Sequence, residues 1–121
     1  MWYCAHAIFY YSYQGQDSFL IHENVYLVDA GDEDEAMLRA KSVAADHEDL
    51  SEDGHLEVNG NKAQYRFVGI RKLIEVELDN ETAEGRLHSG IEATYSVLEV
   101  DNLSEVMRLA AGEMQSVLYL E

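Results

Sequence analysis

The stretch WYCAHAIFYYSYQG, residues 2–15, holds six of the chain's twelve aromatic residues and its one cysteine. Successive residues of a strand point to opposite faces, and aromatic content favours that conformation. Alternation puts Trp2, Cys4, His6, Ile8 and Tyr10 on one face and Tyr3, Ala5, Ala7, Phe9, Tyr11 and Tyr13 on the other. Both faces are largely apolar, so this strand has to be covered, at least partly, on both sides. That requirement limits the fold more than any other feature.

The following segments supply partners for it. Gln14 to Ser18, with Gly15, reads as a turn, and Phe19 to Asp29 returns as a second strand with Phe19, Ile21, Val25 and Leu27 on one side. So short a connection makes an antiparallel hairpin. The simplest pairing sets Tyr13 opposite Phe19 and therefore His22 opposite Tyr10. DEDEAMLRAKSVAADHEDL is the clearest helix. Asp32 caps it, and Glu35 three residues on completes a capping box. At 100° per residue, Ala36, Ala40, Val43, Ala44 and His47 share a small face that can lie close to a sheet, whereas Leu38 falls opposite.

Asn59-Gly60 marks a hairpin, with Asn61 and Lys62 able to lengthen its loop to four residues. The long strand after it changes phase. Ala63, Tyr65 and Phe67 are odd, but Val68, Ile70, Ile74, Val76 and Leu78 are even. A slip of one residue turns every side chain to the other face, so a bulge is required, and Gly69 is the residue best suited to it. Asp79 to Gly90 reads as a loop, Ile91 to Val100 as a strand, and Leu103 to Ala110 as a short helix capped by Asp101 or Asn102. QSVLYLE, residues 115–121, leans to strand. The sum is an α+β domain over residues 1–121, an antiparallel sheet of about five or six strands with two helices packed on one face, in the order β-β-α-β-β-β-α-(β).

At 121 residues the chain forms one domain and buries roughly two thirds of its unfolded surface, so no metal or disulfide staple is needed. Cys4 alone cannot form an intrachain disulfide, which fits a reducing compartment. No apolar run approaches the ~18 residues of a membrane span. No Lys or Arg precedes Arg39, so the N-terminus lacks the basic start of a signal peptide. Together these point to the cytoplasm.

Charge narrows function further. Twenty-four acidic against eight basic side chains give a net charge of −16. Nucleic acids are held by Lys and Arg neutralising phosphates, so neither nucleic acid nor anionic lipid is expected as a partner. Acids gather between Asp29 and Glu57. Glu33 and Asp34 open the helix, and Asp46, Glu48, Asp49, Glu52 and Asp53 lie at and beyond its end. Either they solubilise the fold or they dock a basic partner. The two groups are ~20 Å apart along the helix and form one face only if the loop folds back.

No catalytic signature such as GxSxG, HExxH, a P-loop or CxxC occurs. The five histidines are too scattered for a metal site, and no cofactor is expected. Glu75 and Glu77 stand among apolar residues but alternate with them, as solvent-facing strand residues should. The aromatic surface of Trp2, Tyr3, Tyr10, Tyr11 and Tyr13 lacks the interleaved cations that single-stranded nucleic acid needs; packing, or a small planar ligand, remains.

WYCA at residues 2–5, DEDEAMLRAKS, YRFVGIRKL and GIEATYS near residue 90 together resemble a bacterial family of short proteins. It is catalogued as a domain of unknown function and opens on a Trp-Tyr-x-Ala strand; the resemblance spans about residues 2 to 97. It implies a small cytoplasmic α+β domain and brings no catalytic or binding residues. The expectation is thus a non-enzymatic interaction module, of the kind in which an acidic inhibitor or immunity-type protein occupies a basic partner. The alternative is a small-ligand-binding domain built on the aromatic strand. Whether the chain self-associates is open at this level.

Overall fold

A computed structural model describes residues 1–51, 55–78 and 86–120. Its elements are β1 (Trp2–Ser12), β2 (Ile21–Asp29), α1 (Glu33–Asp46), β3 (Glu57–Val58), β4 (Asn61–Lys62), β5 (Gln64–Glu75), β6 (Val97–Glu99), α2 (Leu103–Ala110) and β7 (Leu118–Leu120). The α+β class and the antiparallel sheet stand as expected. The main sheet, however, has three strands in the order β2-β1-β5, and β3-β4 and β6-β7 form separate two-stranded ladders. The expected strand over 91–100 shortens to β6, which pairs with β7 as Val97↔Leu120 and Glu99↔Leu118 rather than extending the main sheet. QSVLYLE does end in a strand.

The doubly apolar first strand is the middle strand of this sheet. Its odd face carries α1. Ala36 packs with Tyr3 and Ala30, Ala40 with Ala5 and Val28, and Ala44 with Ala7 and Phe9. Four residues of helix rise ~6 Å and two residues of strand ~6.6 Å, so an i, i+4 row of alanines stays in step with an i, i+2 row of β1. Leu38 is exposed on the far side. Asp32 accepts from the Glu35 backbone N–H at 2.8 Å, while the Glu35 side chain accepts from Gly31 N–H at 2.8 Å. The reciprocal cap thus reaches one residue further back than the usual capping box.

The hairpin register differs from the simplest pairing by one residue. Tyr10 faces Ile21 and Phe9 faces His22. The cause is Gln16, whose amide accepts from Tyr13 N–H and donates to the carbonyls of Tyr11 and Ser18. That side chain fills a wider loop and ends β1 at Ser12. His22 therefore lies on the α1 side, its ring against Tyr11 and Tyr65, and not on the face of Cys4 and His6.

Along β5 the phase changes twice. His6 faces Lys72 and Ala7 faces Ile70, then Ile8 faces Gly69 and Phe9 faces Phe67. Arg71 and Val68 are the extra residues, and Gly69 sits between these two bulges. The first slip places Tyr65 and Phe67 on the α1 side together with Ile70, and the second adds Leu73 to them. A single break at Gly69 would have left Leu73 facing away. Glu75 and Glu77 are exposed, as alternation implied. Asn59 and Gly60 carry positive φ of 54° and 80°, the geometry a two-residue hairpin turn requires.

The second helix departs from expectation. Asn102 caps α2 by accepting from Glu105 N–H at 3.0 Å, yet α2 buries none of its residues. It does not join α1 on one face of the sheet. Its apolar row, Leu103, Val106 and Met107, is exposed to solvent.

Candidate interaction surfaces and a buried polar cluster

The acids divide as the helix length implied. Glu33, Asp34 and Asp46 are exposed on α1, the first two at its N-terminal turn where the helix dipole favours them. Beyond the helix, Glu48 and Asp49 are tied down. Glu48 Oε2 accepts from Phe67 N–H at 2.9 Å, and Asp49 exchanges backbone hydrogen bonds of 3.0 and 2.7 Å with Tyr65. Glu48 and Asp49 are thus held at the edge of β5. Glu52 and Asp53 lie outside the described residues.

The aromatic residues divide too. Tyr3 is in the core, its hydroxyl pKa raised by burial and then by the nearby charges of Glu75, Asp32 and Glu33. Tyr11 leans on Tyr65, which stacks on Phe9 with ring centroids 4.5 Å apart. Trp2 and Tyr13 line shallow depressions at opposite ends of β1. Only Tyr10 faces an open apolar surface. It meets Phe19 edge-on at 5.7 Å, and Ile8, Tyr10, Phe19, Ile21 and Val68 line a depression of about 330 Å³ with an apolar wall. These residues make no single stacking platform.

On the same side of the sheet, nearer the start of β1, is a cluster that sequence reasoning missed. His6 is 4% exposed. Its Nδ1 lies 3.1 Å from Glu23 Oε1 and its Nε2 2.5 Å from Thr94 Oγ1. Arg71, the bulged residue of β5, donates to the same Glu23 oxygen from Nε at 2.7 Å. Burial lowers the His6 pKa below 6.5, more than Glu23 raises it, and Lys72 and Arg71 add to the lowering. Burial alone would raise Glu23, but Arg71 and then His6 outweigh it and hold the carboxyl below 4.5. A neutral His6 thus donates from Nδ1 to the carboxylate and accepts the Thr94 hydroxyl at Nε2.

Hydroxyl, imidazole and carboxylate in that order are also the parts of a nucleophilic triad. Here His6 is buried and Thr94 half-buried. Neither His6 nor Thr94 lines any of the four described depressions, and Arg71 shares the carboxylate oxygen that orients the ring. The cluster joins the C-terminal segment to the sheet through the His6–Thr94 hydrogen bond. Lys72 Nζ adds to this, donating to the Tyr95 carbonyl and, at 3.2 Å, to Ser96 Oγ. The Tyr119 ring lies 4.7 Å from the Arg71 guanidinium. Cys4, also on this side, is buried, and burial raises its pKa. Among the described residues no group of three His, Cys, Asp or Glu side chains is arranged to hold a metal ion, and no helix is long and apolar enough to cross a membrane.

The architecture is thus a small α+β domain, one helix on a three-stranded antiparallel sheet, with a C-terminal unit clasped to the opposite side. The model of the DUF4288 family, a domain of unknown function, matches residues 2–89, and the chain belongs to that family. The matched region ends before Thr94, so β6, α2 and β7 lie beyond it. No curated protein and no solved structure matches the chain.

Proposed function

We propose that the protein is a non-enzymatic interaction module that docks a basic protein partner through the exposed acids of α1. The observation that supports this best is the filled α1–sheet interface. Alanines of α1 sit directly on Ala5, Ala7 and Phe9, all 0% exposed, so this interface is closely packed. What α1 offers is its exposed acids, Glu33 and Asp34 at its first turn and Asp46 at its last, with only Arg39 and Lys41 as basic residues. Arg39 is itself held by Glu35 at 2.8 Å. A basic partner reads such acids by long-range attraction. The setting we infer is the cytoplasm of a bacterium, and an inhibitor or immunity-type role fits this reading by analogy of charge alone. The test is affinity capture from the native host. A partner with a basic contact patch supports the reading; capture that is unaltered when Glu33, Asp34 and Asp46 are changed to Gln or Asn contradicts it.

A second reading is favoured by the apolar depression at Ile8, Tyr10, Phe19, Ile21 and Val68, which a planar apolar molecule would fit. Titration with an anilinonaphthalene sulfonate probe tests it. Saturable binding of one equivalent that Val68→Asp abolishes supports a ligand site there; no saturable binding removes it.

A further inference from the structure

Among the described residues, two apolar surfaces lack a partner, and they lie on the same molecule. The first is the side of the sheet away from α1, where Phe19, Ile21, Val25, Leu27 and Val68 are each 46–63% exposed. The second is the C-terminal unit, where Leu103, Val106, Met107 and Leu118 are each 45–73% exposed. The chain cannot readily cover the first surface with the second. Thr94 on His6, Tyr95 and Ser96 on Lys72, and Tyr119 over Arg71 hold the C-terminal unit against one part of the sheet. The end formed by Ile8, Tyr10, Phe19, Ile21 and Val68 stays open.

We propose that a second copy of the chain covers this face, with α2 of each protomer lying on the open sheet face of the other. Dimensions allow it. Eight residues of helix are ~12 Å long, and three strands ~4.8 Å apart present a face ~10–14 Å wide. Area favours it. Nine large apolar side chains, each about half exposed and divided between the two surfaces, present on the order of 900 Å² to the pairing, against ~800 Å² per partner in a standard interface. Each two-fold pairing buries both surfaces of both copies, which a one-sided partner would not do.

Charge placement permits it as well. With −16 on each chain, two copies repel, and an interface away from the α1 acids lowers that repulsion; α2 itself brings Glu105 and Arg108, with Asp101 before it and Glu113 after it. Glu33, Asp34 and Asp46 are on α1, across the sheet from the open face. On that face Glu23 is neutralised by Arg71 at 2.7 Å. Pairing through it therefore leaves the acidic sides of both protomers outermost and available to the basic partner proposed above. The two interactions also answer oppositely to salt. Screening weakens attraction to a basic partner but relieves repulsion between like-charged copies, so failure of one reading is distinguishable from failure of the other.

Sedimentation velocity of the full chain at about 50 mM and about 500 mM salt, up to about 100 μM protein, tests the proposal. The expected result is a species of twice the 13.7 kDa chain mass, with a dimer fraction that rises with protein and with salt. Met107→Asp on α2 and Val68→Asp on the sheet face each shift it at least tenfold toward monomer, while Leu38→Asp on the outer side of α1 leaves it unchanged. All three positions are exposed, so circular dichroism should report the same fold for each variant. A wild-type chain that stays monomeric throughout overturns the proposal and assigns the face to a different partner. A dimer that survives both Met107→Asp and Val68→Asp overturns it too.

Discussion

Ala40 of α1 packs directly against Ala5 of β1, and both are 0% exposed. Alanine opposite alanine brings the helix as near the sheet as side chains permit, and interiors at crystalline packing density have no room for more. The separation of α1 from the sheet is thus set by three alanines, with Tyr3 and Phe9 filling the ends.

Ala40→Leu should therefore be destabilising by about 1–3 kcal/mol, the cost of overpacking a filled core. Leu38→Ala, two residues away on the exposed side, should change stability by less than about 0.5 kcal/mol. Urea denaturation of the two variants checks the contrast. Equal effects would mean that α1 does not present its alanine face to the sheet.

Stability should fall on acidification in two stages. His6 has a folded pKa below its unfolded value of 6.5, so its contribution is whole above about pH 6.5. It is lost as pH falls toward the folded value, because the unfolded chain takes up the proton first. Glu23 and Glu35 are held below 4.5, so their contributions are lost only from about pH 4.5 downward. In denaturation curves taken at successive pH values, His6→Gln should lack the first stage and keep the second. Persistence of the first stage in that variant would place its origin elsewhere.

The glycines should separate by backbone geometry. Gly60 has φ of +80°, so Gly60→Ala should cost about 1 kcal/mol in the β3–β4 turn. Gly69 has open space where a Cβ would stand and needs no left-handed backbone. Gly69→Ala should be neutral or stabilising by about 0.5 kcal/mol, since glycine weakens a strand. Thermal melts decide it; a loss at Gly69 larger than at Gly60 would mean that the bulges depend on that glycine.

What could be read from the sequence was what depends on near neighbours. The Asp32 cap, the alanine face of α1, the Asn59-Gly60 turn and the need for a bulge before Ile70 all lie within a few residues of their cause. The hairpin register was misread because one side chain, Gln16, sets the loop width. The second bulge was hidden because Arg71 is polar and its removal from the pairing left no trace in the apolar pattern. The His6 cluster was illegible for a different reason. Its members come from β1, β2, β5 and the segment before β6, and Thr94 is 88 residues from His6. The exposure of α2 was equally hidden, because an amphipathic helix looks the same whether its partner is its own sheet or another molecule.

The central claim is that the exposed acids of α1 recognise a basic protein. Its most direct measurement is the association rate with a captured partner at about 50 mM and about 500 mM salt. It compares the wild-type chain with one in which Glu33, Asp34 and Asp46 are replaced by Gln or Asn. The account predicts a wild-type rate that falls at least about tenfold with salt, and a variant that is slow at low salt and nearly indifferent to it. Equal rates for both chains at both salt concentrations would contradict the account and leave those carboxylates as a solvated surface.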